Sequence, residues 1–295
     1  MRSNRSSIYR FAMILATLLA TAFHAHAQTP EPSPSPAASS SPTLEHEFFK
    51  NILRDQKAIW TAPVHLHRGD ARWLAPLGLG TAALVATDRT TATGIAQFDD
   101  QLSASRVISY PGSTYGAAGV GAIFYLIGRA RHDSRARETG LLSWEALIDS
   151  ELLVVPLKAI AERRRPLSIR HRGDFFRVGT SFPSGHAIHA WAVAAVVANE
   201  YSDHRAVKVA AYGLSAAVSL ARFTGEKHFL SDILVGSAMG YGIGRYVYHA
   251  HHRTSSGGND GDEEESLVHS RRWPAIAPLY DRHARDYGVA LAWSF

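Results

Sequence analysis

Uncharged apolar blocks recur along the chain at 73–87, 115–128, 187–199, 209–221 and 233–244, each bounded by charges or by Gly and Pro. They are rich in Ala, Leu and Gly, and no sustained strand alternation occurs before the last twenty residues, so each block predicts a helix. A more polar helix is expected over 141–162. An earlier one should begin near Leu44, where Phe48, Phe49, Ile52, Leu53 and Ile59 recur at near-helical spacing. Blocks of about twelve to sixteen residues fall short of the roughly 20 that a membrane span prefers. They fit core helices of a soluble bundle or short spans extended by their flanks, and a mean hydropathy of −0.11 favours the first. Trp60 and its basic neighbours fit a helix on a membrane surface, but packing on the main domain accounts for them as well. The final stretch, 287–295, alternates well enough for a strand. Within 276–295 it predicts a small hairpin packed on the bundle, since one or two strands cannot close a barrel. The expected fold class is all-α, a bundle of about six helices with a short C-terminal β-hairpin.

The ends of the chain read differently. Arg2, Arg5 and Arg10 precede an apolar run at 11–23, and Ala25-His26-Ala27 follows. That order predicts a secretory signal peptide cleaved before Gln28; the alternative, an uncleaved anchor, is disfavoured because thirteen apolar residues are short for a span. The expected organisation is a signal peptide at 1–27, a Pro/Ser-rich linker at 28–43, N-terminal helices at 44–110, a core domain at 111–252, and an acidic linker and tail at 253–295. The acidic run within 255–265 lacks the ligand spacing of a calcium loop and reads as linker.

Composition narrows the chemistry. A chain of 295 residues that is 46% hydrophobic can build a sizeable core. With no cysteine it forms no disulfide and no thiolate metal site, so packing must supply its stability. Removing three arginines and no acidic residue takes the formal charge from +5 to +2, which gives no reason to expect nucleic acid as a partner.

Three blocks carry candidate chemistry. The first is Lys158-x6-Arg165-Pro166, where two helical turns would bring both cations to one face and Pro166 would stop the helix at Arg165. A point charge and a planar fork aimed one way suit a phosphate, although basic residues also complement a helix C-terminus. The second is Pro183-Ser184-Gly185-His186, opening directly into an apolar helix. Ser184 reads as an N-cap, Gly185 admits a ligand close to the backbone, and free N–H groups at a helix start attract anions. His186 stands there either as a proton donor or as a surface residue. The third is Arg222-x5-His228-x3-Asp232. One turn on a helix would let Asp232 hold one ring nitrogen of His228 and leave the other as a nucleophile, while a plain buried His–Asp pair explains the same spacing.

In this order and spacing the blocks resemble the three signature motifs of the type 2 phosphatidic acid phosphatase family, which includes bacterial class A acid phosphatases and vanadium haloperoxidases. Every motif position is matched, and at residue frequencies of about one in twenty an accidental match at nine or more is negligible. The resemblance covers about residues 110 to 250, and its one small departure is Ala221, where many members carry Ser. It implies a metal-independent phosphatase acting on a phosphomonoester or diphosphate, soluble or lipid-linked. His228 would form a phosphohistidine, Asp232 would orient it, and His186 would protonate the leaving group. Lys158, Arg165, Ser184, Gly185 and Arg222 would clamp the phosphate oxygens. It also implies no cofactor; with the predicted export the site would face the periplasm, and association with the membrane stays open. A vanadium-dependent haloperoxidase holding vanadate on His228, a non-catalytic envelope phosphate-binding protein and a phosphotransferase are the alternatives. The clustered histidines, at 24 and 26, at 65 and 67, and at 249, 251 and 252, lack acidic partners at ligand spacing and are expected to be solvated or interfacial. Glu145, Asp149 and Glu151 are expected in simple ion pairs, with second-layer support of the first block's cations as the alternative.

Overall fold

In a computed structural model the protein is described over residues 44–93, 98–167, 173–252, 275–281 and 286–292. The expected signal peptide, Pro/Ser-rich linker and acidic run lie outside the described residues. Among those residues are eight α-helices: α1 (Leu44–Thr61), α2 (Ala71–Thr93), α3 (Asp99–Ile108), α4 (Thr114–Arg131), α5 (Ser134–Ala161), α6 (Gly185–Glu200), α7 (Arg205–Thr224) and α8 (Leu230–His251). They belong to one compact unit ending at His252. A second unit contains the hairpin of β1 (Ala275–Asp281) and β2 (Asp286–Ala292), antiparallel from Ala275 opposite Ala292 to Asp281 opposite Asp286.

Each apolar block lies inside a helix, and polar flanks lengthen it. The block at 73–87 becomes the 23-residue α2, and the polar segment becomes the 28-residue α5. Caps set the starts: Ser113 accepts from the Gly116 N–H before α4, and Asp133 from the Ala136 N–H before α5. The short α3 carries no apolar block, so hydropathy alone does not reveal it. Among the described residues α7 is the one helix long and apolar enough to cross a membrane, by length and composition.

The centre of the bundle is α6, which packs on α5, α7 and α8. One core joins Leu142, Ala146 and Val154 of α5 to Ile188, Ala192 and Val196 of α6 and Val247 of α8. A second joins Ala117 and Phe124 of α4 to Leu147, Val193 and Val197. The α6–α8 contact is nearly backbone on backbone. A Cβ on Gly236, Gly240 or Gly244 would lie 2.7, 2.2 or 2.1 Å from the carbonyl oxygen of Ser184, Ile188 or Ala192, respectively. Residues four apart share a helical face, so three glycines at that interval clear a stripe along which the helices close. Helix α1 packs on α5 through a face holding Asn51, Ile52 and Asp55, while Phe49, Leu53 and Trp60 stay exposed.

Two chain features aim the motifs. Helix α5 ends at Ala161, where Glu162 turns left-handed (φ 42°) and gives its N–H to the Lys158 carbonyl. The chain then runs extended beside 173–181, with the Arg164 N–H on Asp174 O (3.1 Å) and the Ser181 N–H on Arg163 O (2.9 Å). Opposite this loop, α8 begins after Phe229, which acts as its N-cap.

Candidate active site

The structure brings the three blocks to one end of the bundle by a route that differs from the helical one. Lys158 and Arg165 do not share a helical face, because α5 stops four residues before Arg165 and well before Pro166. They converge nonetheless. Lys158, on the last turn of α5, comes so near the start of α6 that a Cβ on Gly185 would lie 3.1 Å from its Nζ. Arg165, on the extended segment, donates to Thr180 Oγ1 at 3.3 Å. Arg222, on the last turn of α7, donates to Ser109 Oγ at 3.2 Å, while its buried Nε has no protein acceptor. Burial, with Arg165 and Arg222 adding repulsion, holds the Lys158 ammonium below its usual range; burial and Arg165 push Arg222 down to about 10.

Ser184 is the N-cap of α6, its side chain accepting from the Ala187 N–H at 3.5 Å. His186 follows on the first turn. Burial, then Arg222 and His228, push its imidazole down to about 3, so it is neutral at physiological pH. Behind it, buried His189 faces Glu151 at 3.5 Å, and the Glu151 carboxylate also takes the Thr114 hydroxyl. Glu151 thus lies at the edge of the cation group, whereas Glu145 and Asp149 turn away from it toward α1.

His228 and Asp232 correct the third expectation. His228 precedes α8, so the two residues are not one turn apart on a helix. The His228 Nδ1–H is taken by the Ser181 carbonyl at 2.7 Å, while Asp232 Oδ2 lies at 3.7 Å, beyond hydrogen-bond reach. A carbonyl only accepts, so it fixes the proton on Nδ1 and leaves the Nε2 lone pair available. Burial pushes His228 down to about 4, with Asp232 opposing and Arg222 and Arg165 reinforcing the fall. The ring is therefore neutral, the form that can attack.

Asp232 is instead the hub of a buried network. Its Oδ2 accepts from Ser181 Oγ (2.5 Å) and from the Phe229 N–H (2.9 Å), and its Oδ1 accepts from Arg163 Nη1 (2.5 Å). Arg163 also donates to Asp88 Oδ2 at 2.8 Å, to Ser231 Oγ at 2.6 Å and to Gly173 O at 3.0 Å. Its guanidinium lies between the rings of Phe175 and Phe229, 4.5 and 4.4 Å from their centroids. Burial alone would raise Asp232, but His228, Arg163 and Ser181 outweigh it and hold the carboxyl below its ordinary range.

Arg163, Asp88, Ser181 and Ser109 were not singled out by the motif pattern. The available signal was the one that marked Asp232: Asp88 is the first charge after the apolar block at 73–87, and a carboxylate on a buried face needs a partner.

Residues 139–256 match the model of the PAP2 superfamily. Over that segment the chain is similar to the PAP2 superfamily. The match takes in all three motif blocks, whereas Asp88 and Ser109 precede it. The chain is also similar to two solved structures. One is the first transmembrane PAP2-type phosphatidylglycerolphosphate phosphatase from Bacillus subtilis: 22% identity, 69% of this chain and 94% of that one, TM-score 0.44. The other is Aquifex aeolicus LpxE: 19% identity, 56% of this chain and 93% of that one, TM-score 0.43. No curated protein matches the sequence.

Proposed function

We propose that this protein is a phosphatase of the PAP2 superfamily that transfers a phosphoryl group to His228 Nε2 and then to water, without a metal in either step. The observation that carries the proposal is the Ser181 carbonyl on His228 Nδ1, which leaves Nε2 as the basic nitrogen of a neutral ring beside Lys158, Arg165 and Arg222. In the first step the Nε2 lone pair bonds to phosphorus and the P–O bond to the leaving group breaks. His186 gives that oxygen a proton. Burial first, and then Arg222 and Lys158, hold His186 down to about 3; a phosphate dianion would offset the cations' share, so substrate binding raises the imidazole toward the protonated form it needs. In the second step His186, now neutral, takes a proton from the water that displaces Nε2. Three cations, the α6 N-terminus and the Arg222 Nε–H stabilise charge on the phosphate oxygens, the contribution phosphoryl transfer depends on most.

The substrate class is a phosphomonoester or diphosphate with an apolar portion. Exposed Tyr110 adjoins Ser109, which holds Arg222, and exposed Phe176 and Val178 lead into Thr180, which holds Arg165. Together with the apolar α7 and the basic–apolar–Ala-x-Ala order of the first 27 residues, these favour a site on the periplasmic side, close to lipid. The test is phosphate release from a lipid diphosphate, phosphatidic acid and a soluble phosphoester by purified enzyme, with and without detergent. Lipid substrates should be preferred, and His228→Ala should lower the rate at least about a thousandfold. Full activity in His228→Ala, or halide oxidation only with vanadate, would overturn the proposal.

A further inference from the structure

The end of the bundle away from the motif residues holds a second concentration of buried chemistry. Thirteen residues of α5 separate Glu145 from Lys158, and nineteen of α8 separate His251 from Asp232, so along the helices the distances are about 20 and 28 Å. At this far end α1 contributes Asn51, Asp55 and Gln56, α5 contributes Glu145 and Asp149, and α8 contributes His251. Asn51, Asp55, Glu145 and Asp149 are almost wholly buried. His251 Nε2 faces both Asp55 oxygens, each at 2.8 Å.

One atom from each of Asp55, Glu145 and His251 lies within 4.8 Å of the others. Two amides then arrange the acids as outer-layer groups arrange metal ligands. Asn51 Nδ2 donates to Glu145 Oε1 at 3.2 Å, and Gln56 Nε2 donates to Asp149 Oδ1 at 2.9 Å. In both cases the second oxygen, Glu145 Oε2 and Asp149 Oδ2, is buried with no hydrogen-bond partner, as is Asn51 Oδ1. Unpartnered oxygens at this depth are costly, and a bound cation would satisfy them.

We propose that Asp55, Glu145 and His251, with Asp149 beside them, form a structural zinc site that clasps α1 to α5 and α8. One imidazole with carboxylates is a borderline donor set that zinc accepts, whereas magnesium and calcium favour oxygen alone. Tetrahedral zinc spaces its ligand atoms about 3.3 Å apart, which side-chain movements of about an ångström or so can reach here. The neighbouring group of Glu138, Glu200 and His252 differs in kind: it is partly exposed, and Arg135 already lies 3.7 Å from the Glu200 carboxylate.

The site is independent of the phosphatase proposal and is read without activity. The purified full-length protein, dialysed against a chelator, is titrated with Zn2+ by calorimetry and its thermal unfolding followed. One zinc per chain and a rise of several degrees in Tm are expected. Glu145→Gln and His251→Gln should each weaken binding at least tenfold, while His252→Gln keeps it. Glu145→Gln also removes a buried charge at constant shape, so without metal it should unfold no lower than the parent, which separates lost binding from lost folding. Zinc that binds only at millimolar levels, that binds both variants as well as the parent, or that disappears in His186→Ala while persisting in Glu145→Gln would overturn the assignment.

Discussion

Arg163 holds two buried carboxylates at once, and that makes it the most consequential residue outside the motifs. Removing its guanidinium would leave Asp88 and Asp232 unpaired among Phe175, Phe229 and Ser231. Arg163→Met should cost about 3–5 kcal/mol in urea unfolding, the penalty of an uncompensated buried charge. Arg163→Lys keeps the charge and loses the fork, so it should recover only part of that. The same network divides the roles of His228 and Asp232. Because Ser181 O, and not Asp232, holds Nδ1, Asp232→Asn leaves the tautomer in place and removes charge at 3.7 Å. Its kcat should fall about 10- to 100-fold, well short of His228→Ala, in a phosphate-release assay of both variants.

At the scale of elements, the glycine stripe of α8 makes a sharp pair of expectations. Gly240→Ala would place a Cβ 2.2 Å from the Ile188 carbonyl, and main chain cannot yield as a side-chain tip can. The helices must part, at a cost of about 2–3 kcal/mol in thermal unfolding. Gly242→Ala meets nothing within 4 Å and should be neutral or stabilising by up to about 1 kcal/mol, since alanine is the better helix former. Uncharged apolar blocks mark α2, α4, α6, α7 and α8, apolar spacing marks α1, and α5 shows as a more polar helical segment. Apolar periodicity missed α3, whose ten residues carry no such block, and it placed Arg165 on α5, because a left-handed turn at Glu162 leaves no mark that hydropathy can register. His251 and His252 were likewise illegible. Their acidic partners, Asp55, Glu138 and Glu200, lie far away in the chain, and only tertiary packing assembles such pairs.

For the whole molecule, burial of His228 links stability to acidity. Its folded value, about 4, lies below the ordinary 6.5, so the neutral ring favours the fold fully above pH 6.5. That contribution, about 3 kcal/mol at most, is lost as pH falls toward 4. Unfolding free energy measured from pH 7.5 to 4 should therefore decline, and His228→Gln should flatten the decline. Under the proposed function the motif residues are legible because phosphate chemistry restricts residue type and spacing, while their supports obey only geometry and can come from anywhere in the chain. Asp88, from α2, steadies Arg163, and Ser109, just after α3, steadies Arg222. A fragment cut at residue 111 would thus retain Lys158, Arg165, Ser184, His186, Arg222, His228 and Asp232 and still be an incomplete catalyst. It would carry the full signature with an arginine facing empty space at its centre, and the smallest autonomous enzyme has to begin upstream of Asp88.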